Sequence, residues 1–263
     1  MIDSHCHLTD PRLFEQLDQV LDRARASGVA RIITIGTSIL DAIAAIDACR
    51  SHPNVRCAIG IHPNYSHEAQ PEDVEKLREL QRDPSVVALG EMGLDYFHHF
   101  ADRQIQRKFF EAQLALATEL NRPIVIHSRE AIDDTLAILK HFPAVRAVFH
   151  SFTGTLDESA RIIEAGYLLG FTGPITFKKN DALREVVKRT PHDRLLVETD
   201  APYLTPEPMR KQKTNEPAMV VHTAKVVAEQ WGVSVDEVDR VTTENVERFF
   251  GWILRELNFV DSQ

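Results

Sequence analysis

Met1-Ile2-Asp3-Ser4-His5-Cys6-His7-Leu8 begins the chain as a strand-like run. Pro11 to Ser27 follows with apolar residues at helical spacing: Leu13, Phe14, Leu17, Val20, Leu21 and Ala24. Gly28 ends that pattern, and Val29 to Gly36, rich in β-branched residues, reads as a buried strand. A strand, a helix and a second strand in succession make a β-α-β unit, since parallel strands need a crossover between them. Whether this unit recurs decides the fold.

It does recur. Further strand-like runs lie at Val55–Ile61, Val86–Gly90, Pro123–Ile126, Val145–Phe149, Tyr167–Thr172 and Leu195–Thr199. Helical patterns lie between and after them, at about Ile39–Ser51, Pro71–Arg82, Asp102–Leu120, Arg129–His141, Asp157–Ala165, Asp181–Arg189, Pro217–Gln230 and Val235–Phe250. Strands apolar on both faces belong between a core and a helical layer. Eight such units with right-handed crossovers predict an α/β fold, a TIM-type (β/α)8 barrel. The competing open sheet would carry a Gly-rich phosphate loop after the first strand, and none is present. With no linker or low-complexity tract, residues 1–263 are expected to form a single domain.

Composition narrows the function classes. Hydrophobic residues make up 43% of the chain, enough for a sizeable core. No apolar run approaches the roughly 20 residues of a membrane span, and the chain opens without a basic-then-apolar leader. Three cysteines without C-x-x-C spacing point away from a disulfide framework and toward the cytoplasm. The formal net charge of −9 opposes general polyanion binding. A nucleic-acid substrate would have to be gripped locally and by metal ions.

In such barrels the active site lies at the C-terminal ends of the strands. Here those ends offer His5 and His7, His62, Glu91, His127, His150 and Asp200 in turn. In an extended chain alternate side chains share a face, so Asp3, His5 and His7 should point together, with Cys6 packing on the other side. One histidine at a strand end is ordinarily a hydrogen-bonded core residue. Metal-competent side chains at the end of strand after strand, aimed at one axis, are not explained that way. Four histidines and two carboxylates exceed a four-coordinate site but suit two divalent ions. Glu91, midway in the set, is the expected bridge. Asp200 would complete one shell and take a proton from the attacking water, so the reaction class is hydrolysis.

The same residues carry a family resemblance. Asp3-Ser4-His5-Cys6-His7, Gly60-Ile61-His62-Pro63, Gly90-Glu91-Met92-Gly93-Leu94-Asp95-Tyr96 and Ile126-His127-Ser128-Arg129 resemble the TatD family, in order. So do Phe149-His150-Ser151-Phe152-Thr153-Gly154, Glu198-Thr199-Asp200-Ala201-Pro202-Tyr203-Leu204, Asn215-Glu216-Pro217, and Asn245 with Phe249. The resemblance implies a two-metal deoxyribonuclease that cleaves phosphodiester bonds in DNA, often from the 3′ end. It implies His5, His7, Glu91, His127, His150 and Asp200 as metal ligands, with substrate contacts from His62, Tyr96 and Arg129. Beside a ligand histidine, the Arg129 guanidinium would clamp a phosphate. Met209-Arg210-Lys211-Gln212-Lys213-Thr214 stands where many members have His-Arg-Gly-Lys.

The leading expectation is thus a DNA-cleaving hydrolase of single strands or 3′ ends with no obligate protein partner. Histidine donors favour zinc, manganese or nickel, while magnesium, often used by the family, prefers oxygen-rich shells. Rival readings are a barrel hydrolase of small amides, lactones or phosphotriesters, a deacylase of misacylated tRNA, and a catalytically silent binding barrel. The small-substrate barrels often bridge their metals with a modified lysine at the fourth strand, where this chain has Glu91. The silent barrel would have lost ligands, and none is missing.

Overall fold

A computed structural model describes residues 1–252; residues 253–263, the end of the expected domain range, lie outside the described residues. Eight parallel strands form one sheet in sequential order: β1 (Ile2–Cys6), β2 (Arg31–Gly36), β3 (Val55–Ile59), β4 (Val86–Asp95), β5 (Ile124–Arg129), β6 (Ala147–Phe149), β7 (Leu168–Phe171) and β8 (Leu195–Val197). The sheet curls until β8 meets β1. The Asp200 amide donates to the His5 carbonyl (2.9 Å) and the His7 amide to the Ala201 carbonyl (2.7 Å). The barrel therefore closes at residues predicted to carry chemistry.

The helices form the outer layer: α1 (Pro11–Phe14), α2 (Leu17–Ala26), α3 (Ile39–Ser51), α4 (Asp73–Leu80), α5 (Arg103–Leu120), α6 (Ile132–Leu139), α7 (Leu156–Glu164), α8 (Asp181–Arg189), α9 (Val220–Trp231) and α10 (Val235–Phe250). Ile32, Cys57, Leu89, Ile126 and Phe149 belong to the larger core between strands and helices. Ile33, Ile35, Val87, Val125, Val148 and Leu196 fill the barrel interior, where Val246, Phe249, Phe250 and Trp252 join them. That alternation of neighbours explains why the strands read as unbroken apolar runs.

The sequence places α3, α8 and α10 at their observed limits. It reads one helix over Pro11–Ser27, whereas the chain makes two, α1 opened by the Asp10 side chain capping the Arg12 amide. The larger difference is β4. Its Gly93-Leu94-Asp95 segment, beyond the Val86–Gly90 run read from the sequence, continues the strand and pairs with His127, Ser128 and Arg129 of β5. Glycine serves close approach here: a Cβ on Gly93 would fall on the His127 carbonyl.

Two strands break strict alternation. The β1–β2 register shifts between Asp3 and Cys6, the β3–β4 register between Cys57 and Ala58, and the β4–β5 register between Leu89 and Met92. Ile2 faces the interior while Cys6, four positions on, packs in the outer core, which regular pleating forbids. The first and last of these shifts lie beside residues of the mouth, His5 and Glu91. An extra residue in one strand is a recurrent means of re-aiming a side chain there.

Candidate metal centre

His5, His7, His62, Glu91, His127, His150 and Asp200 converge at the C-terminal mouth. The Glu91 carboxylate lies at their centre and its oxygens face different ways. Oε2 lies 3.5 Å from His5 Nε2. Oε1 faces His127 Nδ1 at 2.8 Å, His150 Nε2 at 3.0 Å and His62 Nε2 at 3.5 Å. Asp200 Oδ1 stands 3.3 Å from His7 Nε2 and 3.7 Å from His5 Nε2. Donor atoms of His5, His7 and Asp200 lie within 4.8 Å of one another, as do those of His62, Glu91 and His127, and of His5, His150 and Glu198.

Electrostatics bind this group together. Burial works to raise the Glu91 carboxyl, but His150, His62 and His127 outweigh it and hold it well below the usual range. Burial likewise opposes ionisation of Asp200, and His7 and His150 overcome it. The His5 and His150 rings stack at 3.7 Å, so both cannot comfortably be cations. Burial and the neighbouring His150 push His5 down. His150 is raised well above the ordinary value because Glu91 and Glu198 outweigh its burial.

Buried polar atoms are nearly always hydrogen-bonded. Here both ring nitrogens of His5, and Nδ1 of His150, are buried with no hydrogen-bond partner. Imidazole rings so placed, among carboxylates, are the ligand types a divalent cation takes, and binding one would displace the ring protons. The residues fit the metal that the sequence leads one to expect.

Supporting groups were less legible. Asp3 does not join the cluster: it accepts the Thr199 amide at 2.9 Å and the Thr199 hydroxyl at 2.5 Å, and burial raises its carboxyl to about 8. Glu198, missed in the sequence reading, accepts the Ser151 amide at 2.9 Å and approaches His150 Nδ1 at 3.6 Å. Its signal was its place two residues before Asp200, just past the end of β8. Gly170 of β7 makes room, since a Cβ there would fall on the Glu198 carboxylate. Asp95, also missed, takes His127 Nε2 at 3.0 Å, the carboxylate–imidazole pairing that commonly orients a metal-ligating histidine. Ser151 and Asp200 adopt left-handed backbone (φ 45° and 56°), strain that tends to gather at functional sites. Asn215 secures the Asp200 turn by donating to the Thr199 and Tyr203 carbonyls at 2.9 and 2.6 Å.

The expected substrate contacts separate. His62 sits inside the cluster; its Nδ1 accepts the Asn64 amide at 3.1 Å, and burial lowers its pKa to about 4. Arg129 lies exposed at the rim with its guanidinium 4.9 Å from the Phe97 ring centre. Tyr96 turns outward: its hydroxyl donates to Asp134 at 2.7 Å and its ring lies under Arg103. In the divergent segment, Arg210 lies over the Phe177 ring at 3.8 Å while Lys211 and Lys213 are exposed.

Fold and mouth together define a β/α-barrel with a histidine–carboxylate centre suited to divalent metal. The chain belongs to the TatD related DNase family, whose model matches residues 2–251. It is 39% identical over 252 residues to the uncharacterized metal-dependent hydrolase YabD of Bacillus subtilis, covering 95% of this chain and 98% of that one. The 3′-5′ ssDNA/RNA exonuclease TatD of Erwinia tasmaniensis is 38% identical over 257 residues, covering 95% and 99%. Among solved structures, the TatD homolog YJJV of Escherichia coli K12 superposes with a TM-score of 0.91 at 28% identity, covering 96% and 98%.

Proposed function

We propose that this protein is a metal-dependent deoxyribonuclease that hydrolyses phosphodiester bonds of single-stranded DNA from the 3′ end. His5, His7 and Asp200 would hold one divalent ion and His127 and His150 a second, with Glu91 shared. The observation that carries this reading is the division of the Glu91 oxygens, Oε2 toward His5 and Oε1 toward His127 and His150. Relatives named as metal-dependent hydrolases and a single-strand exonuclease support it. The three cysteines are free and buried, which suits the cytoplasm, and no helix among the described residues is long and apolar enough to cross a membrane.

Bound divalent ions supply Lewis-acid polarisation of the phosphoryl group and promote ionisation of water near neutral pH. The protein contributes the rest. Asp200, kept ionised beside His7, is placed to take the proton of the attacking water. His62 is neutral near pH 7, and its Nδ1 is occupied as an acceptor, so Nε2 carries the proton. That N–H can donate to a phosphoryl oxygen at the mouth without adding charge. Arg129 at the rim offers a planar fork for the adjoining phosphate. The deciding experiment is metal analysis of the purified protein together with cleavage of 5′-labelled single- and double-stranded DNA. Stepwise shortening of the single strand, abolished by chelator and restored by a divalent ion, is the expected result. Unchanged cleavage by fully demetallated protein would overturn the reading.

A further inference from the structure

Immediately after β4 the chain reads Tyr96-Phe97-His98-His99-Phe100, consecutive ring-bearing residues. The chemistry above uses none of them. Tyr96 is committed outward to Asp134, but Phe97 and Phe100 stand 49% and 63% exposed at the rim. The rings are ordered, not scattered. Phe97 meets the His98 ring edge-on at 4.9 Å, and Phe100 lies nearly parallel to it at 5.6 Å. Arg129 closes one side against Phe97.

This wall is fixed to the metal centre through one carboxylate. Asp95 Oδ1 accepts the Phe97 and His98 amides at 3.0 and 2.8 Å. Asp95 Oδ2 lies 2.8 Å from His98 Nδ1 and 3.0 Å from His127 Nε2. The aromatic wall and a metal-centre histidine thus share a single anchor, and their spacing is set by it.

We propose that Phe97, His98 and Phe100, flanked by Arg129, form a stacking platform for unpaired nucleobases of the strand being cleaved. The proposal rests on the nuclease reading and adds how the strand is held. Base–aromatic stacking is tolerant of sequence, and a neighbouring guanidinium strengthens it. A chain with net charge −9 draws little help from general attraction to phosphates, so contacts of another kind are needed. A duplex keeps its base faces stacked internally and cannot offer them to this wall. The platform therefore selects single strands.

The test compares kcat/KM for a single-stranded deoxyoligonucleotide and for its counterpart with abasic sites at the 3′-terminal positions. Parent, Phe97→Ala/Phe100→Ala and Phe97→Tyr/Phe100→Tyr are measured side by side. Stacking of the usual strength gives the parent a preference of about tenfold or more for the intact strand. The alanine variant is expected to bring the two substrates within about twofold of each other, and the tyrosine variant to restore the gap, since either ring stacks. An alanine variant that keeps the parental preference overturns the platform while leaving the nuclease reading in place. A parent that cleaves neither strand but hydrolyses bis(4-nitrophenyl) phosphate overturns both.

Discussion

The two ends of the barrel solve opposite problems with the same strands. At the floor, α10 and the turn just after it lay Val246, Phe249, Phe250 and Trp252 against Ile2, Ile33, Val87, Val148 and Leu196. The carbonyls nearby are satisfied: Arg31 donates to the Trp252 carbonyl and Arg146 to the Phe249 carbonyl, both at 2.9 Å. Arg31 also pairs with Glu247 at 2.6 Å. Asn245 ties the helix to the start of β8 through the His192 and Leu195 carbonyls. At the mouth, ring nitrogens are buried without partners and Asp200 sits in left-handed backbone. The floor contributes stability, and the mouth spends part of it on donors held ready for a cation.

That contrast can be broken by one change at each end. Glu91→Gln keeps the shape but removes the charge facing both groups of histidines, so at least one ion should be lost and DNA cleavage fall to background. The melting temperature of the metal-free variant should fall below that of the metal-free parent at neutral pH, because the buried histidines that hold Glu91 ionised lose the charge that balances them. Two bound ions with full activity would mean the shared carboxylate is misassigned.

Phe249→Ala should do the reverse. Emptying that much of a packed floor costs about 3–5 kcal/mol of unfolding free energy, read from urea melts. Metal content and turnover per folded molecule should be unchanged. A variant with parental stability would show that α10 does not plug the floor of the barrel.

Asp95→Asn probes the support of His127 and sharpens the boundary between cluster and wall. Losing the carboxylate that orients a ligand histidine typically costs 10–100-fold in metal affinity or activity. A metal titration of the variant should show that weakening at the ion held by His127, with the other ion less affected. Equal weakening of both would place Asp95's influence elsewhere.

The smallest effect belongs to the rim. Arg129→Ala should lower cleavage of DNA more than of a small phosphodiester and reduce the salt slope of DNA binding by about 0.7, one phosphate contact on a single strand. Binding isotherms at several salt concentrations decide it. An unaltered slope would return Arg129 to packing on Phe97.

The order of elements was legible because strand and helix leave different apolar periods, and every β-α unit here repeats them. That His5, His7, Glu91, His127, His150 and Asp200 share one end of one barrel follows from the same repetition, since each closes a strand-like run. The register shifts, the outward turn of Tyr96, the commitment of Asp3 to Thr199 and the roles of Glu198 and Asp95 were not legible. Each depends on contacts between residues far apart in the chain or on a one-residue shift of register. A hydrophobic pattern states which face is buried, but neither which neighbour lies there nor where a ladder slips. Local chemistry thus determined the barrel and the residues at its mouth. Closure of β8 onto β1 decided how those side chains meet, because only that closure brings Asp200 beside His5 and His7 and aims the Glu91 oxygens in two directions.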